Sequence, residues 1–202
     1  MIKIFHCPGS CSLASLIALE ESGAPFEKVI VNLGAGEQTK PEYLAINPKG
    51  KVPALATDRG VLTENPAIMA FIAQSFPNAK LAPLNDPFAF ARMQSFNAFI
   101  ASSLQPSTGP LVRPQRYSDD VAAHDSLKRK ALENAVLYLG IIEDELFKGP
   151  YVLGDEYSAA DGYLFVFSEL IVRLKLDAKR FPKILEHRER VGSRPAVKRA
   201  LA

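Results

Sequence analysis

Every strand-like segment of this chain lies before residue 76, and the long apolar helical patterns lie after residue 87. The stretch between them, Phe76-Pro77-Asn78-Ala79-Lys80-Leu81-Ala82-Pro83-Leu84-Asn85-Asp86-Pro87, has three prolines and no apolar period, which reads as a linker. This division excludes a single sheet or a single helical bundle. It predicts an α/β unit over 1–77, a linker over 78–87 and an all-helical unit over 88–202. At 202 residues and 48% hydrophobic content, the chain can bury a sizeable core.

In the first unit, Ile2-Lys3-Ile4-Phe5 is a short apolar run ended by Pro8-Gly9, as in a buried strand followed by a sharp turn. Leu13, Leu16, Ile17 and Leu19 then recur at helical spacing from Cys11 to Ser22, where Gly23 and Pro25 stop the pattern. Phe26 to Leu33 is the next β-rich segment, and Thr39 to Ile46 can form a short helix ending before Asn47-Pro48. Val52 to Ala56 and Gly60 to Thr63 flank Asp58-Arg59-Gly60, a hairpin signal. Asn65-Pro66 reads as a helix N-cap with proline at the first helical position. The order is β-α-β, a short helix, then β-β-α. In the second unit, helices are expected over 88–104, 121–147, 158–174, 181–191 and 194–201.

Charge and cysteine content remove several function classes. A formal net charge of +2 is too small for a general nucleic-acid or membrane-surface binder. The charge is uneven, however, since residues 173–202 hold ten basic and three acidic side chains. A solvated helix face and a phosphate-binding patch both fit that tail. Cys7 and Cys11 are the only cysteines, which argues against a secreted disulfide scaffold, and their spacing does not suit zinc. No stretch of 18 apolar residues is present and no signal-type apolar region follows Met1, so a cytoplasmic location is expected.

Three constellations can carry chemistry. Cys11 falls at the expected first turn of a helix, where free N–H groups and the helix dipole stabilise a thiolate; Ser10 and Ser12 are rivals as hydroxyl donors to a bound thiolate. Cys7 reads more simply as a small buried residue at a strand end. A cis bond at Val52-Pro53 would leave the Val52 backbone free to pair with an extended peptide, the alternative being an ordinary trans edge proline. At Glu64-Asn65, helix N–H groups can hold a carboxylate while Glu64 accepts from an ammonium, the alternative being plain helix capping by Asn65. Gly34-Ala35-Gly36 lacks the third glycine of a dinucleotide fingerprint, and His6, His124 and His187 sit in no metal or triad spacing.

Taken in order, Pro8-Gly9-Ser10-Cys11-Ser12-Leu13, Asn47 to Leu55, Leu62 to Ile68 and Leu153-Gly154-Asp155-Glu156-Tyr157-Ser158-Ala159-Ala160-Asp161 resemble the cytosolic glutathione S-transferases, and within them the bacterial beta class. The resemblance spans essentially the whole chain. It implies a thioredoxin-like N-terminal domain, an all-α C-terminal domain, a homodimer, and glutathione as co-substrate with no cofactor or metal. By the family pattern, Val52 and Pro53 receive the cysteinyl unit, Glu64 and Asn65 hold the γ-glutamyl end, Lys51 meets a carboxylate, and Cys11 or Ser10 faces the sulfur. Ser158 and Asp161 resemble the family's capping box. Asn65 replaces the usual serine or other small polar residue, Gly36 stands about where many members have a lysine, and Gln105 stands near the electrophile side where beta-class members often have a histidine. An amide there can hydrogen-bond but cannot act as acid or base.

The expected function is conjugation of glutathione to a small apolar electrophile. Thiol-disulfide exchange through Cys11 and a non-catalytic glutathione-binding protein are the alternatives. For assembly, Phe90, Met93, Phe96, Phe99, Leu132, Val136, Leu139 and Ile142 offer more apolar positions than one helix stripe needs, as a two-fold homodimer would require.

Overall fold

The computed structural model describes all 202 residues. Its first part contains β1 (Ile2–His6), α1 (Leu13–Ser22), β2 (Phe26–Ile30), α2 (Pro41–Leu44), β3 (Ala54–Thr57), β4 (Gly60–Thr63) and α3 (Asn65–Ser75). The four strands form one mixed sheet in the order β2-β1-β3-β4. β1 and β2 run parallel, with Ile2 opposite Phe26 and His6 opposite Ile30, while β3 lies antiparallel to β1 and to β4. The α1 crossover between parallel strands and the Asp58-Arg59 hairpin produce this order directly. The sheet and its helices form a thioredoxin-like unit. β2 stops three residues short of the expected Leu33, because its partner β1 ends at His6; one further bond, Val31 N–H to the His6 carbonyl at 2.8 Å, closes the ladder.

The second part is all-helical: α4 (Pro87–Phe99), α5 (Gln105–Val112), α6 (His124–Ile141), α7 (Ala159–Arg173), α8 (Pro182–Gly192) and α9 (Pro195–Leu201). The helix expected to end at Leu104 instead runs on. A wide π turn at Ile100–Leu104 joins α4 to α5, whose Pro106 and Pro110 lie inside it. Proline lacks the N–H an α-turn needs, and a π turn just before it resets the bonding ladder so the helix continues. A second π turn, Ile142–Leu146, ends the α6 segment. No helix is long and apolar enough to cross a membrane.

One hydrophobic core runs through both parts. Ile4, Leu16, Leu55 and Ile68 from the sheet unit join Met93, Leu139, Leu164 and Ile184 from the helices. α1 packs on α3 on its own side and on α7 and α9 on the other. The 78–87 stretch is docked as well: Leu81 is buried in this core, and its carbonyl accepts the Ala159 N–H at 2.8 Å. A smaller cluster of Val31, Tyr43 and Val52 closes the opposite sheet face beneath α2. This arrangement leaves a trough between the β1–α1 turn, the segment before β3 and the π turn of the long helix.

The basic tail resolves into partners. Arg194 forks onto Glu21 of α1 with bonds of 2.6 and 2.9 Å and lies over the Tyr157 ring, while Arg199 donates to Glu20 at 2.7 Å. Arg180, Arg188 and Arg190 are paired with Asp144, Glu169 and Glu186. Five of the ten tail cations are thus paired with carboxylates, and two of them, Arg194 and Arg199, clamp the tail onto α1 of the first part.

Candidate active site

The β1–α1 turn is shaped by Gly9, whose φ of +73° suits glycine alone without strain, and by Ser12, the N-cap of α1. The fully buried Ser12 Oγ accepts the Cys7 N–H at 3.1 Å, sits 2.8 Å from His6 Nδ1 and 2.6 Å from Ser10 Oγ. Ser10 Oγ donates to the Cys7 carbonyl at 2.8 Å. His6 is thus structural, and burial, followed by the nearby Lys28 charge, lowers its pKa to about 4. Cys7 is half-buried at the edge of the smaller cluster and not in the main core, and both cysteines are free.

Cys11 is not in the first helical turn as expected: α1 begins at Leu13, two residues on. Its Sγ lies 3.9 Å from the Val52 carbonyl and accepts from Gln105 Nε2 at 3.3 Å. Burial raises the thiol pKa, only partly opposed by the Gln105 and Asn65 hydrogen bonds, so the expected resting thiolate is not supported. The Gln105 amide is oriented by the buried Tyr163, whose hydroxyl donates to Oε1 at 2.9 Å and whose own pKa burial raises. That leaves the amide N–H facing sulfur.

The Val52-Pro53 peptide bond is cis. Asn47 Nδ2 and the Tyr43 hydroxyl both donate to the Lys51 carbonyl, at 2.6 and 2.7 Å, which pins the chain just before it. Val52 lies outside the β3 ladder, and its N–H has no partner within the chain.

Asn65 does not cap α3. Glu64 holds the N-cap position at φ +74°, a backbone conformation that costs on the order of 1–3 kcal/mol and persists where the surroundings over-determine it. Those surroundings are visible: Lys49 Nζ holds Glu64 Oε1 at 2.7 Å, Asn65 Nδ2 donates to the Cys11 carbonyl at 3.0 Å, and Ser15 Oγ donates to Asn65 Oδ1 at 2.6 Å. Asn65 is therefore a staple between α3 and the β1–α1 turn. An ammonium that engaged Glu64 would share it with Lys49.

Ser10, Cys11, Lys51, Val52, Pro53, Glu64, Asn65 and Gln105 all line one cavity of about 480 Å³, so residues spread over 95 positions of sequence converge. Gly36 does not reach it, but Gln38 does, with its buried Oε1 unpartnered. Sequence reasoning missed Gln38, Tyr163 and the wall built by Ala101, Pro106, Gly109, Val112, Arg113, Arg116 and Tyr117. Only the Gly109-Pro110 and Pro114 breaks hinted at an unusual segment there.

Residues 1–74 match the glutathione S-transferase N-terminal domain, and residues 109–202 the glutathione S-transferase C-terminal domain. GstA of Escherichia coli O157:H7, a glutathione S-transferase, is 35% identical over all of this chain and 98% of its own length. The chain belongs to the glutathione S-transferase family. Among solved structures, a Sulfitobacter glutathione transferase homologue with bound glutathione superposes with a TM-score of 0.93 at 34% identity, over 98% of this chain and 96% of that one. A beta-class Sphingomonas chungbukensis glutathione S-transferase gives 0.86 at 38%, over 98% and 96%. Within this glutathione S-transferase fold, the cavity falls between the thioredoxin-like unit and the helices, whose wall mixes Ala101, Pro106 and Val112 with Gln105, Arg113 and Arg116.

Proposed function

We propose that the chain is a glutathione transferase joining glutathione to a small, largely apolar electrophile. The observation that carries this reading is the unpartnered Val52 N–H beside the Cys11 sulfur, at the edge of a cavity large enough for two substrates. Residues 1–77 supply the glutathione side and 88–202 the electrophile side. The Val52 N–H and C=O pair with the cysteinyl unit as a strand would, beside Pro53. Lys51 takes one carboxylate of the tripeptide, the N-terminus of α3 at Asn65 takes the other, and Glu64 accepts from the ammonium.

Cys11, held as a neutral thiol, donates to the glutathione sulfur, with the Ser10 hydroxyl as the alternative donor. Each unit by which such donors lower the bound thiol's pKa raises its thiolate fraction about tenfold while it remains mostly protonated. The thiolate attacks the electrophile and expels its leaving group. The raised pKa of Cys11 weighs against thiol-disulfide exchange, which needs a Cys11 thiolate. The reading fits a cytoplasmic reaction, where Cys7 and Cys11 stay reduced. It also fits a homodimer: Met93, Phe96, Leu139 and Ile142 are used within the chain, but Leu132 and Val136 remain exposed on α6 at 38% and 37%.

Titration calorimetry with glutathione and a conjugation assay with 1-chloro-2,4-dinitrobenzene test this. Binding, with turnover reduced in Cys11→Ala or Ser10→Ala, is expected. No heat at millimolar glutathione would overturn the reading.

A further inference from the structure

The charges around the cavity do not balance. Its lining contains three cations, Lys51, Arg113 and Arg116, and one anion, Glu64, which Lys49 already holds. None of the three lining cations forms an ion pair within the chain. On the proposed function, on which this inference rests, glutathione brings two carboxylates and one ammonium. One carboxylate is met by Lys51 and the other by the N-terminus of α3, and the ammonium by Glu64. Arg113 and Arg116 then remain without counter-charge, on the opposite wall.

Their setting favours a bound anion. Arg113 is half-buried and Arg116 exposed, and neither guanidinium makes a hydrogen bond or ion pair within the protein, so both keep their donors for a ligand in the cavity. Arg113 is the N-cap and Arg116 the last residue of a tight 3-10 turn, Pro114–Arg116, whose Pro114 is buried. The turn is closed by Arg116 N–H to the Arg113 carbonyl at 3.1 Å and Tyr117 N–H to the Pro114 carbonyl at 2.9 Å. Two planar forks are thus presented from a fixed backbone, which suits bidentate recognition of a carboxylate. Pro106, Val112 and Tyr117 line the same cavity and supply apolar surface there.

We infer that the second substrate is an acidic electrophile, an apolar reactive body bearing a carboxylate that Arg113 and Arg116 hold while the reacting carbon faces the glutathione sulfur. For an aryl chloride the step balances simply. The thiolate sulfur bonds to the ring carbon, the C–Cl bond breaks, chloride leaves with the electron pair, and the thiol proton has gone to solvent.

The test compares 4-chloro-3,5-dinitrobenzoate with 1-chloro-2,4-dinitrobenzene, each rate divided by its uncatalysed rate. The acid is expected to have the higher kcat/KM. In Arg113→Gln/Arg116→Gln the acid-to-neutral ratio should fall about 10- to 100-fold, through KM, as loss of charge-assisted bonds implies. Arg173→Gln/Lys175→Gln, an equal loss of two charges at exposed positions outside the cavity, should leave the ratio unchanged. Binding of the unreactive pair 3,5-dinitrobenzoate and 1,3-dinitrobenzene to the glutathione-loaded protein gives a readout independent of turnover. Tighter binding of the acid that is lost in the double variant supports the inference, even where conjugation fails and the proposed function falls with it. Equal binding of the two probes overturns it. So does a double variant that raises the KM for glutathione and not for the acid, since the arginines would then serve the tripeptide.

Discussion

Replacing Asp161 by asparagine keeps the side-chain shape and inverts half of its hydrogen bonding, and its cost can be worked out from the structure. The fully buried carboxylate is surrounded by donors alone. Oδ1 accepts the Val152 N–H at 2.7 Å and the His187 Nε2–H at 2.9 Å, and Oδ2 accepts the Ser158 N–H at 2.7 Å and its hydroxyl at 3.0 Å. An asparagine must turn its NH₂ towards one of these pairs. Either the Ser158 or the Val152 backbone N–H is then left facing another N–H, buried and unpaired, at roughly 1–3 kcal/mol. The remaining contacts lose their charge assistance, which brings the total to about 3–5 kcal/mol. For a chain of this size that corresponds to a Tm lower by roughly 10 °C. Urea unfolding followed by circular dichroism gives the free energy, and calorimetry on the folded protein gives glutathione affinity, expected to be unchanged because Asp161 does not line the cavity. Ser158→Ala, which removes one hydroxyl bond and a cap, should cost only about 1 kcal/mol. If Asp161→Asn lost less than about 1 kcal/mol, the account of a donor-only pocket would be wrong.

Other perturbations read out the cavity and its supports. His6, lowered from 6.5 to about 4, is neutral in the fold, so between these values the unfolded chain binds the extra proton; its contribution is fully present above pH 6.5 and lost as pH falls towards 4. That contribution is at most about 3 kcal/mol before discounting for solvent screening, and urea titrations from pH 4 to 7 should show a flatter profile in His6→Gln than in the parent. Gln105→Leu strips a donor from the Cys11 sulfur and leaves the Tyr163 hydroxyl unpaired. Alkylation of Cys11 by iodoacetamide at fixed pH should slow, and stability should drop by roughly 1–3 kcal/mol. A faster reaction would contradict the assigned role of the amide. Gly109→Ala places a methyl into the Tyr117 hydroxyl, and the half-exposed ring must swing aside. Steady-state kinetics should then show a several-fold change in KM for the electrophile and none for glutathione.

Much of the fold was legible because its signals are local. Gly23, the Asp58-Arg59-Gly60 turn, the proline-rich break before Pro87 and the Ser158–Asp161 box each constrain a few neighbouring backbone angles, whatever the rest of the chain does. All eight residues named for the site line one cavity: those of the first part sit at turns and element ends that α/β topology gathers, whereas Lys51 and Gln105 are named from the family resemblance alone. What the sequence could not determine was the partner of each polar group. Asn65 has the form of an N-cap but joins Ser15 to the Cys11 carbonyl, 50 and 54 residues away. The neighbours of Cys11 suggest a helix end that favours a thiolate; its burial in the fold raises the thiol pKa, and the contact with Gln105 94 positions on only partly opposes this. The basic tail could have been a solvated face or an anion site until Arg194 met Glu21 across 173 residues. Backbone preferences act over a few residues, whereas burial and charge pairing depend on distances in space, which only the tertiary structure supplies.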